Sequence, residues 1–206
     1  MSIISRALKE GSIDDTSSQP DRIQLSHQKN VSLRVFLAFV FCPCFLWCGN
    51  AYWPFALPNF HSMMQQLVYT AKWQVPSILL LVAAIGTTLW SRNTTARGTR
   101  SASGKTLQTR YTAHKNYLNN TFEQFLANVM ALFILTTYLK PHQMHMIPLF
   151  VTLFVIGRLQ YWYGYLDASR GRSNKAFGFA TTFYVTCGVA MYCTYRFVCD
   201  FMWRLI

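Results

Sequence analysis

Acidic residues are scarce in this sequence: 7 Asp and Glu stand against 19 Lys and Arg in 206 residues, and only 13% of the chain is charged. Soluble domains carry roughly 25% charged residues. With 52% hydrophobic residues gathered in long blocks, that shortage excludes an ordinary soluble globule and indicates a polytopic membrane protein in one compact helical domain. No positively charged leader with a short apolar core precedes a small-residue cleavage site. The first 34 residues are instead a polar run, with Gly11, Asp14, Asp15, Ser17, Ser18 and Pro20, which reads as a disordered cytoplasmic tail. The six cysteines Cys42, Cys44, Cys48, Cys187, Cys193 and Cys199 lack paired C-x-x-C spacing. That disfavours zinc, and the cysteines read as packing residues. There is no Ser-His-Asp order, Gly-rich phosphate loop or paired-carboxylate site.

Five runs read as membrane spans: 35–57, 73–91, 120–139, 145–166 and 177–199, each near the ~20 residues that cross a bilayer. The first is an extra amino-terminal helix, and 73–199 holds the other four. Fourteen of the basic residues fall in the tail, the polar loop 92–119 and the loop 167–176, against three on the alternate side. The positive-inside bias therefore places the N-terminus in the cytoplasm. The same bias accounts for the net charge of +12 without nucleic acid. Sequons at Asn30, Asn93 and Asn119 fall on that cytoplasmic side and are expected to carry no glycan.

One arginine breaks an apolar run. Arg158 stands inside the fourth span, with Tyr161 and Tyr165 three and seven residues on, so all three share a helix face. An intramembrane charge marks a functional or pairing site. The acid placed to meet it is Glu123, on the neighbouring span at the same cytoplasmic level, with Asn120 three residues earlier. Two readings stay open: an ion pair that locks the hairpin, or a polar pocket open to the cytoplasmic leaflet, suited to a small anionic ligand beside a lipophilic one. His142 and His145 lack a metal-spacing partner, Trp162 reads as an interface anchor, and Arg196 reads as snorkelling outward. A channel or transporter is the least favoured reading, because the polar groups cluster at one leaflet.

Asn120-x-x-Glu123 at a helix start, followed by Gly157-Arg158-Leu159-x-Tyr161-x-x-Gly164-Tyr165 and a downstream arginine, resembles the MAPEG superfamily, membrane proteins of eicosanoid and glutathione metabolism. The extra first span and Phe177-Gly178-Phe179 look most like its five-span, mattrin-like branch. The resemblance implies an all-α bundle of four transmembrane helices preceded by one more, and a homotrimer in endoplasmic-reticulum or secretory and endolysosomal membranes. It also implies glutathione as co-substrate between subunits. Asn120, Glu123, Arg158, Tyr161 and Tyr165 would then hold the peptide. Arg172, or Arg170, would favour the thiolate, and Arg92 would be a second catalytic arginine. Asn116 stands where active relatives carry an arginine. The alternative implied is a non-catalytic protein acting in trafficking or receptor regulation through membrane-protein partners.

Overall fold

The computed structural model describes residues 28–29, 31–52, 57–98, 104–166 and 173–205. All its regular elements there are helical: α1 (Val31–Ala51), α2 (Met63–Trp73), α3 (Val75–Gly98), α4 (Gly104–Tyr138), a 3-10 turn at Pro141–Gln143, α5 (Met146–Leu166) and α6 (Ser173–Leu205). Four stretches, 31–51, 63–96, 141–165 and 175–203, are long and apolar enough to cross a membrane. The fifth expected span, 120–139, is the second half of α4. Its polar Thr121, Asn128 and Thr136 are buried, because it runs between α3, α5 and α6.

Two boundaries differ from the sequence expectation. The second span starts ten residues early, because Ser62 caps α2 and the Gln65 side chain ties back the residue before it. Gln65 N–H donates to Ser62 Oγ (3.4 Å), and His61 N–H donates to the Gln65 side chain (2.8 Å). α2 then breaks from α3 at Gln74, where Pro76 has no N–H to continue the ladder. The polar loop 92–119 is mostly helix, with only 99–103 between α3 and α4 outside the described residues. Hydropathy ends a span where polarity begins, but the backbone ladder continues. Ser91, Thr94 and Thr95 hydroxyls bond carbonyls three or four residues back on α3 and fit the helix.

Successive helices α3 to α6 run antiparallel. At the end bearing the 140–145 hairpin, Leu132, Leu135, Met144, Ile147, Phe150 and Val185 form an apolar core. Thr70 on α2 and Thr136 on α4 are hydrogen-bonded there at 2.7 Å. Because Thr136 already donates to the Leu132 carbonyl (2.8 Å), Thr70 is the donor of the pair. Thr136→Val therefore leaves the Thr70 hydroxyl buried without its acceptor and is expected to cost about 1 kcal/mol more than Thr70→Val in detergent unfolding titrations. A larger cost for Thr70→Val would reverse that bond.

The extra helix is seated on the bundle. Cys42 on α1 approaches the Thr181 carbonyl (3.8 Å), Phe41 packs on Phe177 (5.8 Å between rings), and Asn50 meets His145 at 2.6 Å. α5 and α6 approach most closely where glycine faces glycine. A methyl group on Gly178 would lie 2.5 Å from both the Gly157 carbonyl and the Tyr161 nitrogen. Small residues allow this approach, and it sets the site described next.

Candidate functional site

At the opposite end from the apolar core, α4, α5 and α6 converge on Arg158. The residue is completely buried, at 0% exposure. One terminal nitrogen donates to Asn120 Oδ1 on α4 (2.8 Å) and the other to Thr182 Oγ1 on α6. The guanidinium lies 5.1 Å from the centre of the Tyr161 ring and 5.7 Å from that of Phe154. The Tyr117 hydroxyl closes the other side by donating to the Arg158 carbonyl at 3.4 Å. A buried cation without a counter-charge is costly. Charge-assisted hydrogen bonds and ring quadrupoles offset part of that cost. Arg158 Nε alone is left without a partner.

Around this arginine is an aromatic cluster. Tyr117 stacks on Trp162 (5.5 Å, 18° between planes) and contacts Tyr161 (5.8 Å) and Tyr165 (6.3 Å). Tyr161 meets Tyr165 edge-on at 5.4 Å, and the Lys175 ammonium sits 3.7 Å over the Tyr165 ring. Trp162 is thus half-buried in this cluster instead of serving as an interface anchor. Trp90 and Trp203 are exposed, as anchors would be.

The expected partnership with Glu123 is not made. Among the described residues no ion pair joins Glu123 to Arg158, and Glu123 is exposed. The reason is helical phase. At 100° per residue Glu123 lies about 60° around α4 from Asn120. That turns it away from the buried Tyr117, Thr121 and Asn128 and toward exposed Phe122, Leu126 and Met130.

Of the residues singled out from sequence, the structure brings together Asn120, Arg158, Tyr161 and Tyr165, with Tyr161 buried and Asn120 and Tyr165 half-buried. Arg92 is exposed on α3. Arg170 and Arg172 lie outside the described residues. Arg196 packs over the Tyr138 ring at 5.9 Å. No group of three potential metal ligands occurs among the described residues.

Three participants escaped sequence reasoning: Thr182, Tyr117 and Lys175. Tyr117 could have been found, because it lies three residues before Asn120, on the same side of one helix. Thr182 carried no such signal, since Thr152, Thr181, Thr186 and Thr194 also interrupt the apolar runs and bond only their own helices.

Within one chain the central guanidinium is enclosed, and both of its terminal nitrogens are engaged.

A sequence profile described as the MAPEG family matches residues 68–195. Transmembrane protein 79 of Mus musculus is 30% identical over 149 residues, covering 72% of this chain and 37% of that protein. Transmembrane protein 79 of Bos taurus is 28% identical over 146 residues, covering 71% and 35%. The chain therefore spans little more than a third of these relatives' length. No solved structure matches.

Proposed function

This chain belongs to the MAPEG family, and from that premise we propose a non-catalytic, multi-pass protein of secretory or endolysosomal membranes that acts through membrane-protein partners. In this reading its N-terminus faces the cytoplasm, and the ancestral polar centre serves to hold the bundle together. The observation that supports it most is the engagement of Arg158. It is fully enclosed, with its terminal nitrogens shared between α4 and α6 and its flank closed by Tyr161. An arginine arranged in that way ties three helices together and offers little to a ligand. The kinship with Transmembrane protein 79 agrees with this reading.

A second reading is supported by Glu123. Its carboxylate is exposed on an apolar helix face beside Leu126 and Met130, with no described cation pairing it. A carboxylate in that setting is costly unless something covers it. If α4 packs against further copies in a homotrimer, Glu123, Asn120 and Tyr165 would border an intersubunit cleft able to take the glutathione peptide. Arg172 or Arg92 would then favour the thiolate.

Titration calorimetry and thiolate absorbance with millimolar glutathione, on the full chain purified in detergent, distinguish the two. The non-catalytic reading expects neither heat nor a thiolate band. A saturable heat accompanied by thiolate absorbance would replace it with a glutathione-dependent transferase or peroxidase.

A further inference from the structure

Two cavities adjoin where α1 lies on the bundle. One, of about 370 Å³, is walled by Phe39 and Leu46 of α1, Phe150 of α5, and Val185, Gly188 and Tyr192 of α6. The other, of about 460 Å³, lies toward the hairpin end, where Asn50, Gln143 and His145 form its polar rim. Leu46, Leu135, Phe150 and Tyr192 line both, so the two join along one channel that is open at its side, where Phe39, Trp47 and Tyr192 are exposed. From Asn50 to Phe39 the α1 axis rises ~16 Å at 1.5 Å per residue. That is about half of the ~30 Å hydrocarbon core, one leaflet deep.

The lining chemistry selects an occupant. No Lys, Arg, Asp or Glu is among the described residues that line either cavity. A phospholipid would bring a phosphate, and a fatty acid a carboxylate, to a place without a cation, and each would lose its hydration without compensation. The rim is polar but neutral, with the Asn50 amide and the His145 ring already in hydrogen-bond contact at 2.6 Å. It suits a single hydroxyl. The walls are dominated by flat aromatic rings, Phe39, Trp47, Phe150, Tyr184 and Tyr192, held on helices with leucine and valine between them. Such a fixed surface favours a rigid apolar body, which has little conformational freedom to lose.

We propose that the channel between α1 and the α5–α6 face is a binding site for a sterol, with its hydroxyl at Asn50 and His145 and its ring system against Phe150, Val185 and Gly188. The extra first helix thereby becomes one wall of a lipid site, independent of whether the Arg158 region binds glutathione.

Gly188 provides a way to test it. A Cβ there would meet nothing within 4 Å, although Gly188 lines the cavity of about 370 Å³. Gly188→Leu therefore enters the channel from a position where its Cβ meets no protein atom. Gly86, on α3 away from the channel, has equally open surroundings, so Gly86→Leu is the matched control. The full chain is reconstituted in phosphatidylcholine nanodiscs and labelled with a diazirine-bearing cholesterol analogue, and the labelled peptides are mapped by mass spectrometry. The expected result is saturable labelling on α1 and α6, displaced by unlabelled cholesterol and reduced about tenfold or more by Gly188→Leu. Gly86→Leu leaves it unchanged. Labelling that does not saturate, that maps elsewhere, that is displaced equally by ceramide or diacylglycerol, or that survives Gly188→Leu overturns the proposal. The peptide map of the unsubstituted protein decides the matter even if Gly188→Leu fails to fold.

Discussion

Gly178→Ala is expected to destabilise the purified protein by about 3 kcal/mol or more, although it adds a single methyl group. The added carbon would lie 2.5 Å from the Gly157 carbonyl oxygen and from the Tyr161 nitrogen, and 2.9 Å from the Tyr161 Cα. All three are backbone atoms, so no rotamer change relieves the clash and α5 must move away from α6. That separation draws Thr182 from the Arg158 guanidinium. One methyl thus costs both packing and a charge-assisted hydrogen bond. The helix-propensity gain of alanine over glycine, about 1 kcal/mol, offsets only part of this. Gly86→Ala receives the same propensity gain with no neighbour within 4 Å, so it should be neutral or slightly stabilising. Unfolding titrations of both variants in one detergent provide the comparison, and equal midpoints would show that the close glycine contact is not limiting.

Arg158→Ala is the second large effect, expected at about 3–5 kcal/mol. It removes the largest fully buried side chain, leaves a cavity between three helices and strips Asn120 of its donor. Thr182 suffers less, because its hydroxyl also reaches the Gly178 and Phe179 carbonyls (3.3 and 3.1 Å). Arg158→Lys should recover less than half of the loss. A guanidinium spans from α4 to α6 with two nitrogens of one plane, whereas a single ammonium reaches one side at a time. If lysine restored full stability, charge alone would be what the site requires.

The sequence made four of the helical passages visible because each is an apolar run of membrane length, and it made Arg158 visible as an interruption of one. The partner was misjudged because charge reasoning seeks an acid, and Glu123 stands at the right depth. Depth is set by residue number and direction by helical phase. Phase turned Asn120 inward and Glu123 outward. Thr182 could not be read at all, since a hydroxyl in an apolar run is ordinary and only the Gly157–Gly178 contact brings this one to the guanidinium. The polar helical ends of α3 and α4 were hidden for a different reason. Hydropathy reports where lipid ends, and the backbone hydrogen-bond ladder extends past that point.

That Arg158 binds helices to one another, and not a ligand, is tested most directly by a double-mutant cycle. Arg158→Met, Thr182→Val and the double variant are unfolded with and without millimolar glutathione. The expected coupling between the two positions is about 1.5–3 kcal/mol, unchanged by glutathione. Additive losses, together with a glutathione-dependent stabilisation that disappears in Arg158→Met, would contradict it.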